Sequence, residues 1–337
     1  MTNEELVSIR PLHHAKDTVV VDWFLGKRCN YDCSYCTEDL HDNISKHEEF
    51  EKIKKLVNKL SKSFKDKEVQ VSLTGGEPTT HPVFLDVCNY IKRKKNINYL
   101  TVTTNGSRLA DYYIELLYSV NHITFSQHFE TADNNVYLKK IKEINEFSPN
   151  VVNVQVMFNA KFFEEAKEAV EFYKENNIRF TLRKIRHKIL PIREYDTSSY
   201  DYTDEQIEWL NKNQNKKNVN STAHYRTYEK VVLSGGEAEY REKIKSRNIH
   251  VNEISGANKQ YFNDWVCYAG IQTLHLRPDG TVYRGNCRMG DAIGNLLDTD
   301  FKMPVEPIVC DGRRCFCAHE INTLKYKGTD RYVKNFI

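Results

Sequence analysis

TVVVDWFL at residues 18–25 runs directly into GKRCNYDCSYC at residues 26–36. The first half is a β-branched and aromatic run of strand composition. The second separates Cys29, Cys33 and Cys36 by three and then two residues, with no fourth thiol beside them. A strand that empties into a thiol loop puts chemistry at its C-terminal end, where parallel α/β folds keep their functional groups. Strand-like runs recur downstream as EVQVSLTG (68–75), NYLTVTTNG (98–106), HITFSQH (122–128), VNVQVMFN (152–159) and RFTLRKI (179–185). Helical candidates lie between them near 46–66, 82–95, 109–119, 133–147 and 162–176; in the last, Phe163, Ala166, Val170 and Tyr173 recur at helical spacing. Strands alternating with helices of this length predict βαβ units around a parallel sheet, either open or part of a barrel.

The pattern changes after residue 186. Residues 187–264 are polar, include the helical stretch TDEQIEWLNKN, and are expected to form a connecting helical segment packed on the barrel. From Trp265 to the end at 337 the chain reads as a small β-hairpin and helix domain, its hairpin turn marked by Asp279-Gly280. No repeat or low-complexity tract interrupts the chain.

Composition narrows the function classes. The 337 residues are 40% hydrophobic and 28% charged, which describes an ordinary globular chain. Lys+Arg 49 against Asp+Glu 46 leaves a net charge of +3, so charge argues for no nucleic-acid or membrane-surface partner. The basic run KRKKN at 92–96 fits a helix end. No apolar run reaches the roughly 20 residues of a membrane span, and MTNEELVSIRPLHHAKD lacks a signal-peptide core. A reducing, cytoplasmic setting is therefore expected, where disulfides are rare.

Nine cysteines then need another use, and eight of them fall in two groups at opposite ends of the chain. The ninth, Cys88 in the helical VFLDVCNYIK, reads as a small buried hydrophobe. A structural zinc wants four ligands, so the first group would have to recruit His41 or a distant thiol. An iron–sulfur cubane fits better, because a tight loop can wrap three of its corners and leave the fourth iron to another ligand. The second group is Cys267, Cys287, Cys310, Cys315 and Cys317; here zinc and an iron–sulfur cluster compete as readings.

The motif Cys29-Asn-Tyr-Asp-Cys33-Ser-Tyr-Cys36 resembles the CxxxCxxC signature of the radical S-adenosylmethionine (radical SAM) superfamily, with the aromatic Tyr35 before the last cysteine. The resemblance extends to LTGGEPTTHP at 73–82, similar to that family's GGEP motif. It implies a partial (βα)6 TIM-like barrel over residues 1–186. It also implies a [4Fe–4S] cluster on the three thiols with SAM on the open iron, cleaved to a 5′-deoxyadenosyl radical that abstracts a substrate hydrogen. By the same resemblance Gly75, Gly76, Glu77 and Pro78 would bind SAM, with weaker echoes at Thr104, Asn105, Ser126, His128 and Met157. Ser126 would meet the ribose and Arg183 the SAM carboxylate.

The C-terminal order of cysteine, hairpin, cysteine and later cysteines resembles the twitch or SPASM appendage, which binds auxiliary [4Fe–4S] clusters. Five thiols against the seven of a full SPASM pattern imply a one-cluster, twitch-like domain over residues 265–337, with Cys267, Cys287 and two of the last three as ligands. The implied activity is oxidation of a small molecule by dehydrogenation or cross-linking. Epimerisation or ribosomal-peptide maturation are the alternatives within the family, and a reductant such as flavodoxin or ferredoxin is the implied partner. Only 17 residues precede the first predicted strand, which favours a small molecule over a peptide read by a leader-recognition domain. An electron carrier or zinc scaffold is the non-enzymatic alternative; a carrier has no need of an open iron or of GGEP.

Overall fold

The computed structural model describes residues 4–12, 17–185, 202–214, 221–256, 259–288, 290–312, 314–315 and 317–328. Its first strand, β1 (Glu5–Pro11), precedes the run predicted to open the fold. Six βα units follow. The strands are β2 (Thr18–Phe24), β3 (Glu68–Thr74), β4 (Ile97–Thr104), β5 (His122–Gln127), β6 (Val152–Phe158) and β7 (Arg179–Lys184). The helices after them are α1 (Phe50–Ser63), α2 (Phe84–Lys92), α3 (Ala110–Leu117), α4 (Asn134–Phe147), α5 (Phe163–Glu175) and α6 (Asp204–Asn213). All neighbouring pairs from β2 to β7 are parallel and in sequential order, the arrangement predicted for a partial (βα)6 barrel.

Strand alternation divides this sheet into a greasy face and a polar one. Val19, Val21, Trp23, Val71, Leu73, Val102, Phe125, Val154, Val156 and Leu182 pack against Ile53, Leu56, Val87, Ile141 and Val170 of the helices. Cys88 is buried in that same core, as its sequence context predicted. The intervening residues Asp22, Ser72, Thr103, Ser126, Gln155 and Arg183 occupy the opposite face, away from the helices. None of the fourteen residues of α1 is glycine or proline, and its apolar stripe fixes which side meets the sheet.

The rest of the chain builds a second sheet. It comprises β8 (Ser221–Val232), β9 (Ala238–Ile249), β10 (Trp265–Cys267), β14 (Ile308–Val309) and β15 (Lys325–Lys327), with β1 between β15 and β8. The short helices α7 (Val251–Gly256) and α8 (Ala318–Asn322) pack beside it. Leu6, Ile9, Ala223, Tyr225, Ile249, Phe262, Trp265 and Ile321 form its core. Two expectations are corrected here. The described residues of 187–264 do not form only a helical connector: a hairpin of two twelve-residue strands, β8 and β9, runs through them. Its outer half is charged and exposed, so no apolar alternation announced strands. The N-terminal stretch supplies a central strand whose polar flanks hid the buried Leu6, Val7 and Ile9. The Asp279-Gly280 turn does join a hairpin, β11 (Thr273–Leu276) with β12 (Thr281–Tyr283). However, β11 runs parallel to β2, so this hairpin and β13 (Gly294–Asn295) extend the barrel sheet.

Candidate functional site

A cavity of about 950 Å³ opens over the C-terminal ends of β2–β7. That is near the top of the roughly 300–1,000 Å³ usual for small-molecule sites, with room for more than one ligand. Of the residues assigned from sequence, Cys29, Cys33, Tyr35, Cys36, Gly75, Gly76, Glu77, Asn105, Ser126 and Arg183 all line it, as do Thr104, His128 and Met157.

The thiol loop is held by its backbone. Cys29 N–H donates to Asp42 O at 2.7 Å, Asp42 N–H to Lys27 O at 3.0 Å, and Cys36 N–H to Cys33 O at 3.0 Å. Across the cavity the loop is clamped to the end of β5. Glu130 accepts from Ser34 N at 2.8 Å and Ser34 Oγ at 2.7 Å, and is itself held by Asn159 Nδ2 at 3.1 Å. The Tyr35 hydroxyl lies 2.5 Å from His128 Nδ1, and Cys33 Sγ lies 3.5 Å from the same nitrogen. Burial holds His128 neutral, its pKa pushed down to about 4. Burial also raises the Cys33 thiol to about 11 and raises Cys29, so iron must displace protons to bind them. Glu130 and Asn159 were missed in the sequence; their signal was a polar residue just past a strand's C-terminal end.

The glycines of GGEP serve close approach. Gly76 N–H donates to Gly26 O at 2.8 Å and Glu77 N–H to Arg28 O at 2.8 Å, pressing the turn against the thiol loop. A Cβ at Gly76 would stand 2.1 Å from Lys27 O and 2.5 Å from Arg28 O, both fixed backbone atoms. Gly76→Ala is therefore expected to displace the thiol loop and cost at least about 3 kcal/mol of stability, read by thermal unfolding of the apo chain. An unchanged midpoint would contradict this packing.

Glu77 is 2% exposed and braces two strand ends. Its carboxylate accepts from Thr79 N at 2.9 Å, Thr79 Oγ1 at 2.6 Å, Thr104 Oγ1 at 2.8 Å and Asn105 N at 2.5 Å. Burial raises its pKa while these donors pull the other way. Asn105 in turn donates to Asn30 Oδ1 at 2.9 Å, within the thiol loop. Pro78 does not line the cavity; it begins a 3₁₀ turn, Pro78–Thr80, where its missing N–H costs nothing. Arg183 has no hydrogen-bond or ion-pair partner among the described residues. Burial lowers its pKa, and only the Cys317 thiol opposes that. A guanidinium lining the cavity would suit an anionic group there.

The second thiol group surrounds a smaller cavity lined by Cys267, Cys287, Cys310 and Cys315, together with Glu320 and Lys325. Cys317 stands apart at the N-terminus of α8, close enough to Asp22, Glu320 and Arg183 to feel their charge. Cys315 borders both cavities. Its N–H donates to Gln260 O at 2.9 Å. Among the described residues no three His, Cys, Asp or Glu side chains converge on a point that would hold a single metal ion.

Comparison with known proteins bears on these sites. The family model of the Radical SAM superfamily matches residues 23–197, which carry the end of β2, the thiol loop, the GGEP turn and strands β3 to β7. The chain belongs to the radical SAM superfamily. The family's SAM and [4Fe–4S] cluster fit the donor types found here: three thiols of one short loop lining a cavity that Arg183, without a polar partner among the described residues, also lines. Among curated radical SAM relatives, GTP 3′,8-cyclase of Haemophilus influenzae (strain 86-028NP) is 33% identical over 84 residues, a quarter of each chain. This chain thus aligns with only a quarter of the curated relatives it matches. Among solved structures, anSMEcpe with bound AdoMet superposes with a TM-score of 0.52 at 14% identity, covering 84% of this chain and 78% of its own. Streptococcus suis SuiB bound to precursor peptide SuiA gives 0.55 at 16% identity, covering 85% and 64%. At such identities the likeness is one of fold. No helix among the described residues is long and apolar enough to cross a membrane.

Proposed function

We propose that this radical SAM enzyme cleaves SAM reductively and oxidises a small molecule or peptide, with an auxiliary [4Fe–4S] cluster as electron acceptor. The observation that carries the reading is Cys315: it is one of four thiols around the second cavity and also borders the first. When bound, the cofactors supply one-electron chemistry, a 5′-deoxyadenosyl radical in the first cavity and an electron acceptor in the second. The chain's own residues bind and orient. Cys29, Cys33 and Cys36 would hold the first cluster, and Glu130 and Asn105 fix their loop. Arg183 would take the SAM carboxylate, and Ser126 the ribose hydroxyls, because both stand on the polar face of the sheet at the cavity. The remaining wall, from Leu210 of α6 and Gln214 just beyond it to Asn252, Ser255 and Tyr261, would receive substrate. Glu77, which lines the cavity at the GGEP turn, is already engaged by four donors.

Cys267, Cys287, Cys310 and Cys315 would then be the auxiliary ligands, leaving Cys317 spare. Single alanine variants test this. Each of the four is expected to drop anaerobically reconstituted iron from about eight to about four per chain, the difference of one cubane, while Cys317→Ala keeps about eight. Equal loss in the Cys317 variant, or bound zinc in place of iron, would refute the assignment. The position of Cys317 beside Arg183 favours epimerisation as a second reading, in which its thiol would return a hydrogen to substrate. Full turnover by Cys317→Ala without solvent-deuterium uptake into product would exclude that. The likeness to SuiB, whose solved structure holds a peptide, supports peptides alongside small molecules as substrates.

A further inference from the structure

We propose that Lys325 sets the reduction potential of the cluster held by Cys267, Cys287, Cys310 and Cys315, its buried charge drawing electrons onto that centre. The inference rests on the ligand set just proposed. Lys325 is 1% exposed and lines the same cavity as the four thiols. Its place is fixed by the sheet: on β15 it pairs with Cys267 of β10 on one side and Ile9 of β1 on the other. Its Nζ donates to Ile321 O at 3.1 Å, Thr323 O at 3.0 Å and Glu320 O. Three carbonyl acceptors match the three N–H groups of an ammonium. The charge also sits 4.9 Å over the Phe262 ring, and no carboxylate pairs with it among the described residues.

A cation stored here without a counter-ion acts on its neighbours. Lys325 lines the same cavity as Cys310 and Cys315, so its field reaches both sulfurs. The same field acts on any centre bound to those sulfurs. Reduction adds one negative charge to an assembly that four thiolates already make anionic, and a buried cation stabilises the reduced form more than the oxidised one. Glu320 works against it. That carboxylate lines the cavity at 2% exposure, with Oε1 accepting from Asn286 N at 2.7 Å. The two side chains therefore predict shifts of opposite sign, which a merely structural role would not produce.

The test is an EPR-monitored redox titration of the reconstituted full chain in a Cys29→Ala, Cys33→Ala, Cys36→Ala background, where only the auxiliary cluster gives a signal. Lys325→Gln keeps amide donors for the carbonyls and removes the charge. It is expected to lower the reduced-to-oxidised ratio at least tenfold at fixed potential, about 59 mV more negative for a one-electron couple. Glu320→Gln is expected to shift the potential the other way, and Lys325→Arg to stay within about threefold of the parent. Full iron with an unchanged potential in Lys325→Gln would overturn the role of Lys325 and leave the ligand set standing. Loss of iron from Lys325→Gln with retention in Lys325→Arg would make it a structural plug and equally overturn tuning. A parent without iron would sink the ligand assignment itself.

Discussion

Replacing Cys29, Cys33 and Cys36 together by alanine is expected to abolish 5′-deoxyadenosine formation from SAM and to remove about four of about eight irons per chain. The fold should survive, because the loop is tied by backbone bonds from Cys29 to Asp42 and from Cys36 to Cys33, and by Glu130 to Ser34, none of which uses a thiol. Burial pushes these thiol pKa values up from values already above 7, so they are neutral at pH 7 in the folded and unfolded chain alike; the apo variant loses only their packing and should unfold at or slightly below the wild-type temperature. Anaerobic reconstitution, dithionite reduction and chromatography after adding SAM give the first readout, and iron analysis the second. Wild-type rates of 5′-deoxyadenosine formation in the variant would sink the assignment of the SAM site to this loop.

The second large effect comes from a residue far from either cavity in sequence. Ile9→Asp is expected to cost at least about 4 kcal/mol and to strip the second thiol group of its iron, leaving the first cluster in place. Ile9 is fully buried among Ala223, Tyr225, Ile249, Trp265 and Ile321. Its strand joins β8 on one edge to β15 on the other, and β15 positions Lys325 opposite Cys267. An unpaired carboxylate there should open the sheet that carries Cys267 and Cys310. The parallel sheet has a separate core with no residue from β1, so it should continue to form 5′-deoxyadenosine. Retention of full iron together with an unchanged unfolding midpoint would show that β1 does not support the second cavity.

These two variants mark the limit of what could be read along the chain. The six βα units were legible because each strand alternates or runs apolar over a few residues and each helix carries a stripe; both are local periodicities. The helices fall within a few residues of their predicted spans, as α4 at Asn134–Phe147 does against 133–147. The site residues at the strand ends were legible for a related reason: a parallel sheet places every strand's C-terminus at one end, so Cys29, Gly76, Asn105, Ser126 and Arg183 had to share a cavity. The β8–β9 hairpin was not legible, since Tyr228, Lys230, Arg241 and Lys243 are largely exposed and carry no hydrophobic period. Neither was β1, whose buried Leu6, Val7 and Ile9 are too few to outweigh polar neighbours.

The sequence by itself determined that this chain is a parallel βα protein with three thiols, a glycine turn and several polar groups at one end of its sheet, because those properties depend on spacing within short stretches. Tertiary structure decided the rest. Pairings between distant segments separated Cys317 from the four thiols of the second cavity and set Cys315 on the wall between the two. They also turned an unremarked Lys325 into a buried, carbonyl-held cation beside sulfur. The carbonyls that hold Lys325 are local, but its burial between Ile9 and Cys267 and the place of Cys315 beside the first cavity come from pairings between distant segments, which no local pattern encodes.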